Sequence, residues 1–141
     1  MSDRLLVVDD DEAICLTLRT YFERAGFEVA TASTIRDAAD RLSSGQFAAL
    51  IVDVCLSERG KEGLAIAAYV RQIGHGMPVV ILTAYGSPDN AESAARLGVD
   101  AFLHKPVSLE WLSSLLRWRI AARRGEVKEE EAFMRLAAVA S

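Results

Sequence analysis

Leu50-Ile51-Val52-Asp53-Val54-Cys55 is the stretch whose reading decides the fold. An apolar run rich in β-branched residues, without polar alternation, reads as a strand buried on both faces, as in a parallel sheet. A carboxylate inside such a run is costly to desolvate unless a cation or hydrogen-bond donors meet it. In open parallel sheets, ligands gather at the carboxyl ends of the strands. Asp53 therefore reads as a reactive carboxylate at a sheet edge, and the rest of the chain must supply its surroundings.

Upstream, Arg4-Leu5-Leu6-Val7-Val8 is a second short apolar run, and it is closed by Asp9-Asp10-Asp11-Glu12. Four consecutive acids repel one another. Asp10 or Asp11 serves as a helix N-cap at the positive end of the helix dipole, but capping needs only one or two of the four. Ile14, Leu18, Phe22 and Ala25 then recur at helical spacing, and Gly26 stands where a C′ glycine belongs. A short strand is expected over 27–31. Thr34-x-x-Asp37 opens a helix carrying Ile35, Ala38, Ala39 and Leu42, closed by Ser44-Gly45.

Downstream of Asp53, residues 57–63 are polar and glycine-containing, which predicts a loop. Leu64, Ala67, Ala68 and Val70 begin a helix stopped by Gly74-His75-Gly76. Residues 78–82 make a fourth strand ending at Thr83-Ala84. Ser87-Pro88 is an N-cap with proline at the first helical position, and the helix runs through Ala91, Ala94, Ala95 and Leu97 to Gly98. A fifth strand over 99–103 leads into His104-Lys105-Pro106. Ser108 caps a last helix bearing Leu109, Leu112, Leu116 and Ile120. Five strands alternating with five helices through short loops predict an α/β domain with a parallel sheet covered on both faces.

Composition agrees. The 141 residues suit one domain with a short appendage, and 51% hydrophobic with 26% charged residues suffices for a full core. A net charge of -4 argues against a nucleic-acid surface over the whole chain. Cys15 and Cys55 lack metal-like spacing and suggest a reducing compartment. Apolar runs stay far below the ~20 residues of a membrane span. The first residues lead into a strand with no signal-peptide core. A cytoplasmic protein with no membrane contact is the expectation.

Every strong polar feature follows a strand: Asp9 and Asp10 the first, Asp53 the third, Thr83 the fourth, Lys105 the fifth. In a doubly wound sheet these positions share one edge. Three carboxylates cannot all stay ionised there without a cation, and oxygen-only ligands select a hard ion such as Mg2+. Adding the Lys105 ammonium and the Thr83 hydroxyl makes a setting for a transferring phosphoryl group, with Asp53 as the attacking oxygen.

At this point the sequence resembles the receiver domain of bacterial two-component response regulators, the CheY-like family. The resemblance covers roughly residues 4 to 122 and rests on Val-Val-Asp9-Asp10, Val-Asp53, Thr83-Ala84, the aromatic Phe102 and Lys105-Pro106, in that order. It implies a flavodoxin-like doubly wound five-stranded sheet of order 2-1-3-4-5 with five helices. It makes residues 1–122 the receiver and residues 123–141 a linker with a short helical extension. By the same resemblance Asp53 is the phosphoacceptor, and Asp10 binds Mg2+ directly with Asp9 acting through water. The backbone carbonyl of Cys55 is the third protein ligand, Thr83 and Lys105 hold the phosphoryl group, and Thr83 and Phe102 are the switch residues. The Lys105-Pro106 bond is expected to be cis. The phosphodonor is a histidine kinase or phosphotransfer protein. The chain itself is not an enzyme beyond its own phosphorylation and a slow autodephosphorylation.

This sequence departs from the family pattern in places. Leu56-Ser57 replace the usual Met-Pro, and Gly63 lies ten residues beyond Asp53, so the loop is longer and less restrained. Phe102 stands where tyrosine is common and cannot donate a hydrogen bond. Tyr85 is bulky enough to shield an acyl phosphate from water, which underlies the slow autodephosphorylation. Cys55 has no base or partner thiol near it in sequence, so an inert thiol is expected. Two rival functions fit the same residues. A Mg2+-dependent phosphatase with an aspartyl nucleophile would want a second acid two residues on, where Cys55 stands. An interaction module that no longer uses phosphate would not need the acceptor residues that are present.

The last helix carries a second apolar stripe, Trp111, Leu115 and Trp118, beside the core stripe. One stripe suffices for a helix on a sheet, so the second reads as an interface; the tryptophans could also lie flat at the rim of the core. Pairing with a second copy is open, through the fourth helix, fifth strand and fifth helix together with the extension. Arg117, Arg119, Arg123 and Arg124 neighbour Glu126 and Glu129-Glu130-Glu131, which reads as a solvated, salt-bridged stretch with no direct nucleic-acid contact. Phe133, Leu136, Ala137 and Ala140 keep helical spacing and predict a short amphipathic helix.

Overall fold

The computed structural model describes residues 3–53, 61–73, 76–83, 88–126 and 128, the side chains of 61–63 and 88–91 excepted. Its elements are β1 (Arg4–Val8), α1 (Glu12–Arg24), β2 (Glu28–Ala32), α2 (Ile35–Ser44), β3 (Ala49–Asp53), α3 (Lys61–Gln72), β4 (Val79–Thr83), α4 (Pro88–Arg96), β5 (Ala101–His104) and α5 (Leu109–Arg123). All pairings are parallel, in the order β2-β1-β3-β4-β5. The flavodoxin-like topology expected from the sequence is the one observed.

Alternation along the strands builds two cores, because successive side chains leave opposite faces of the sheet. Leu6, Val8, Leu50, Val52, Val79 and Ile81 meet Ala38, Leu42, Ile66, Val70 and Ala94 from α2, α3 and α4. Leu5, Val7, Ile51, Val80 and Leu82 meet Leu18, Phe22, Leu112, Leu116 and Ile120 from α1 and α5. Burial on both faces is why the Leu50 run is continuously apolar. Each fully buried Val, Leu, Ile or Phe among them contributes about 1.5–3 kcal/mol of transfer free energy.

Local signals set the helix ends. The Asp11 carboxylate accepts from the amides of Ala13 and Ile14, so Asp11, and not Asp10, is the N-cap of α1. Thr34 and Ser108 cap α2 and α5 by accepting from the amides of Asp37 (3.0 Å) and Trp111 (3.1 Å). Gly26, at φ +100°, turns the chain from α1 toward β2.

Strand boundaries shift for identifiable reasons. Phe27 gives its amide to Phe22 of α1, so β2 begins one residue later than expected. Val99 gives its amide to Ala94 and Asp100 gives its own to Val79, so both belong to the α4–β5 junction and β5 starts at Ala101.

One sequence expectation is corrected by burial. Leu115, placed on an outward stripe, is 5% exposed and sits in the core between the sheet, α1 and α5, with the half-buried Trp111 packed against that core. α5 lies beside the α1–β2 turn, to which Arg117 donates a hydrogen bond at the Ala25 carbonyl, and this flank consumes the 111/115 side of the second stripe. Trp118 is half-buried. Among the described residues no helix is long and apolar enough to cross a membrane.

Candidate functional site

Parallel register brings the strand ends together. Val8 pairs with Val52, Asp53 with Leu82 and Thr83 with His104, so the residues ending β1, β3, β4 and β5 line one carboxyl edge. Asp9, Asp53 and Thr83 are 1%, 1% and 2% exposed, which makes them three of the few buried polar groups of the described chain. Lys105 anchors beside β4 by giving its amide to the Thr83 carbonyl (2.8 Å). Its ammonium makes a charge-assisted hydrogen bond to Asp53 Oδ2. The Lys105-Pro106 bond is cis.

Asp9 is held from three sides. Its amide donates to the Ala32 carbonyl (3.0 Å), its Oδ1 accepts from the Asp11 amide (2.9 Å), and its carbonyl accepts from the Cys15 thiol (3.3 Å). Asp9 Oδ2 is buried and has no hydrogen-bond partner among the described residues. Burial pushes the Asp9 carboxyl above the ordinary carboxylate range. The Asp11 amide and the Lys105 charge pull it back in part, while Asp10 adds to the push. Cys15, raised by burial and then by the Asp9 charge, is a poor nucleophile. Sequence reasoning missed this thiol; its place on the buried face of the first turn of α1 was the available signal.

The oxygen donors suit a hard cation. Asp9 offers an undonated buried oxygen, Asp53 a buried carboxylate, and Asp10 an exposed one, with the Lys105 ammonium beside Asp53. No three His, Cys, Asp or Glu side chains among the described residues form a cage by themselves. An ion there would be completed by water or by groups outside those residues.

The remaining expected positions fall as follows. Phe102 is half-buried, packs against the α2–α3–α4 core and meets His104 edge-on, with ring centroids 6.4 Å apart. Trp111 buries an indole N–H that finds no acceptor among the described residues. Arg119, read from sequence as part of a solvated stretch, is bonded instead to the Asp100 carboxylate (2.8 Å), whose side chain is 3% exposed. Cys55, Leu56, Ser57, His75, Ala84, Tyr85 and the apolar positions beyond Glu129 lie outside the described residues.

Comparison with known proteins follows the same geometry. A family model, the response regulator receiver domain, matches residues 5–117. Response regulator MprA of Mycobacterium ulcerans (strain Agy99) is 34% identical over 132 residues, which are 94% of this chain and 55% of that protein. The chain thus spans about half the length of the curated relatives it matches. Among solved structures, a CheY-like response regulator receiver domain protein from Methanospirillum hungatei JF-1 superposes with a TM-score of 0.82 at 26% identity, covering 90% of this chain and 100% of that one. A response regulator from Burkholderia pseudomallei, solved with a phosphorylated aspartic acid, a calcium ion and citrate, gives 0.73 at 28% identity over 94% and 75% of the two chains.

Proposed function

Since the chain belongs to the response regulator receiver domain family of two-component signalling, we propose that Asp53 is its phosphoacceptor. The observation that carries this reading is the Asp53 carboxylate itself, 1% exposed at the end of β3 and ion-paired to Lys105. A buried carboxylate fixed by a cation at the carboxyl edge of the sheet is a nucleophile held in place.

In this reading an Asp53 oxygen attacks the phosphorus of a phosphohistidine on a histidine kinase or phosphotransfer protein. The oxygen–phosphorus bond forms as the nitrogen–phosphorus bond breaks, and the imidazole leaves with the electron pair. Lys105 moves its hydrogen bonding from the carboxylate toward the new phosphoryl oxygens. Thr83, at the end of β4 on the same edge, supplies a hydroxyl to them. Asp9, Asp10 and Asp53, with the Cys55 carbonyl, would hold Mg2+. When bound, that ion supplies the positive charge that offsets the phosphoryl oxygens.

The consequence is a change in protein association. Rearrangement of Thr83 and Phe102 alters the surface of α4, β5 and α5, where Trp118 is half-exposed, and a second copy or a downstream protein reads that surface. Residues 1–122 form the receiver and residues 123–141 its linker and extension. Treating the whole chain with acetyl phosphate and Mg2+ tests the core of this reading. Intact mass should rise by one phosphoryl group in the wild type and stay unchanged in Asp53→Ala. No gain would favour a phosphate-independent module, and steady turnover of phosphate esters a phosphatase.

A further inference from the structure

At the opposite, amino-terminal edge of the sheet lies a second charged cluster that the proposed chemistry does not use. Asp100 sits between α4 and β5. Its Oδ1 accepts from the Val79 amide (2.9 Å), its Oδ2 accepts from Arg119 Nε of α5 (2.8 Å), and Arg71 Nη2 of α3 stands 4.0 Å away. Arg71 also donates to the carbonyls of Leu97 (3.0 Å), Gly98 (2.7 Å) and Met77 (3.2 Å). Leu97 and Gly98 carry the chain out of α4, so one guanidinium closes the end of that helix from α3. A single network therefore ties the lower ends of α3, α4, α5, β4 and β5.

The same two strands carry the phosphoacceptor site at their other ends. β4 runs from Val79 in the network to Thr83 in the site, and Asp100 is followed along β5 by Phe102 and then Lys105. At about 3.3 Å per residue the two ends are about 13–17 Å apart. Breaking the network would leave a carboxylate, 3% exposed, with fewer cations, a larger penalty than the coupling free energy that usually links two sites. The Lys105 side chain that pairs with Asp53 is 27% exposed, against 3% for Asp100, so the upper contact is the one that can change.

We infer that Arg71, Asp100 and Arg119 form a fixed fulcrum, about which α4 and α5 tilt when Asp53 is phosphorylated. The output surface then opens at its upper part while its lower part stays in register. This rests on the phosphoacceptor reading, and Asp100 and Arg119 act as positioning residues only.

The experiment is amide hydrogen exchange on the full chain, with and without Mg2+ and beryllofluoride, a phosphoryl mimic. In the wild type, exchange near Thr83 and residues 102–105 should change about tenfold or more, and exchange at residues 97–101 and 117–120 by less than about twofold. In Asp100→Asn the response should spread to those lower residues while beryllofluoride still binds. Arg119→Gln, which removes the charge that Asp100 meets, serves the same purpose if Asp100→Asn does not fold. Lower residues that respond as strongly as upper ones in the wild type would overturn the fulcrum alone, as would a variant pattern identical to the wild type. No response anywhere would overturn the phosphoacceptor reading together with it.

Discussion

The two edges of the sheet solve one problem, a buried carboxylate at the end of a strand, in opposite ways. At the amino edge Asp100 meets a backbone amide, one guanidinium in direct contact and a second nearby. At the carboxyl edge the Lys105 ammonium bonds Asp53, and the neighbouring Asp9 keeps a buried oxygen without a donor among the described residues. Both edges bury their carboxylates to within a few per cent, so burial alone does not separate them. The difference is compensation. A satisfied carboxylate such as Asp100 is a fastening; Asp9, with a buried oxygen left over, is held ready for a cation beside Asp53, and stability is lower for it.

The largest expected effect falls on the carboxyl edge. Lys105→Ala should slow phosphorylation by acetyl phosphate about 10²–10³-fold, the usual cost of removing one electrostatic stabiliser of developing charge. Following the intact-mass gain with time checks this, and a rate near that of the wild type would remove Lys105 from the site. At the amino edge the same truncation logic should act on stability. Asp100→Ala should lower the unfolding free energy in urea by about 2–3 kcal/mol, because Arg119 loses its acceptor while Arg71 keeps its carbonyls. Acetyl phosphate should still label that variant.

Asp9→Asn should do the reverse and stabilise the metal-free protein, by about 1–2 kcal/mol at pH 7. The sign follows from the raised Asp9 carboxyl. The folded state holds that proton more tightly than the unfolded state, so wild-type stability falls as pH rises from the ordinary carboxylate range through the raised value. The advantage of Asp9→Asn should therefore grow as pH rises and vanish at acid pH. Mg2+ should raise the wild-type melting temperature and leave that of Asp9→Asn nearly unmoved. Urea melts across pH, with and without Mg2+, decide this; an asparagine variant less stable than the wild type at neutral pH would mean that Asp9 is compensated after all. The smallest effect is a control for distance. Arg96 lies 2.7 Å from Glu92, about as close as Arg119 to Asp100, but the pair is 76% and 63% exposed. Arg96→Ala should cost less than about 0.5 kcal/mol.

How much of this was legible beforehand follows the range of the interactions. Continuous apolar strands, the Thr34 and Ser108 caps and the Gly26 turn are local signals, and they placed the elements to within a residue or two, with one exception. α3 starts at Lys61, inside the 57–63 stretch read as a loop, because Lys61 and Glu62 are good helix formers ahead of the apolar face. Asp9, Asp53, Thr83 and Lys105 were legible because parallel strands deliver their ends to one edge whatever the intervening sequence. The amino edge was not legible. Asp100 draws its partners from α3 and α5, and nothing in the spacing of Arg71 or Arg119 shows that they turn inward. Leu115 was misplaced for the same reason: helical periodicity counts stripes but does not say how many neighbours cover a helix.

The most direct measurement is to phosphorylate the full chain, reduce the acyl phosphate with borohydride and locate the resulting homoserine by peptide mass spectrometry. With Asp53 as the acceptor and Asp9 as a cation ligand, homoserine should appear at position 53 and nowhere else, with none at Asp9, Asp10 or Asp100. Label at any of those positions, or none in a sample that has gained a phosphoryl group, would contradict the account.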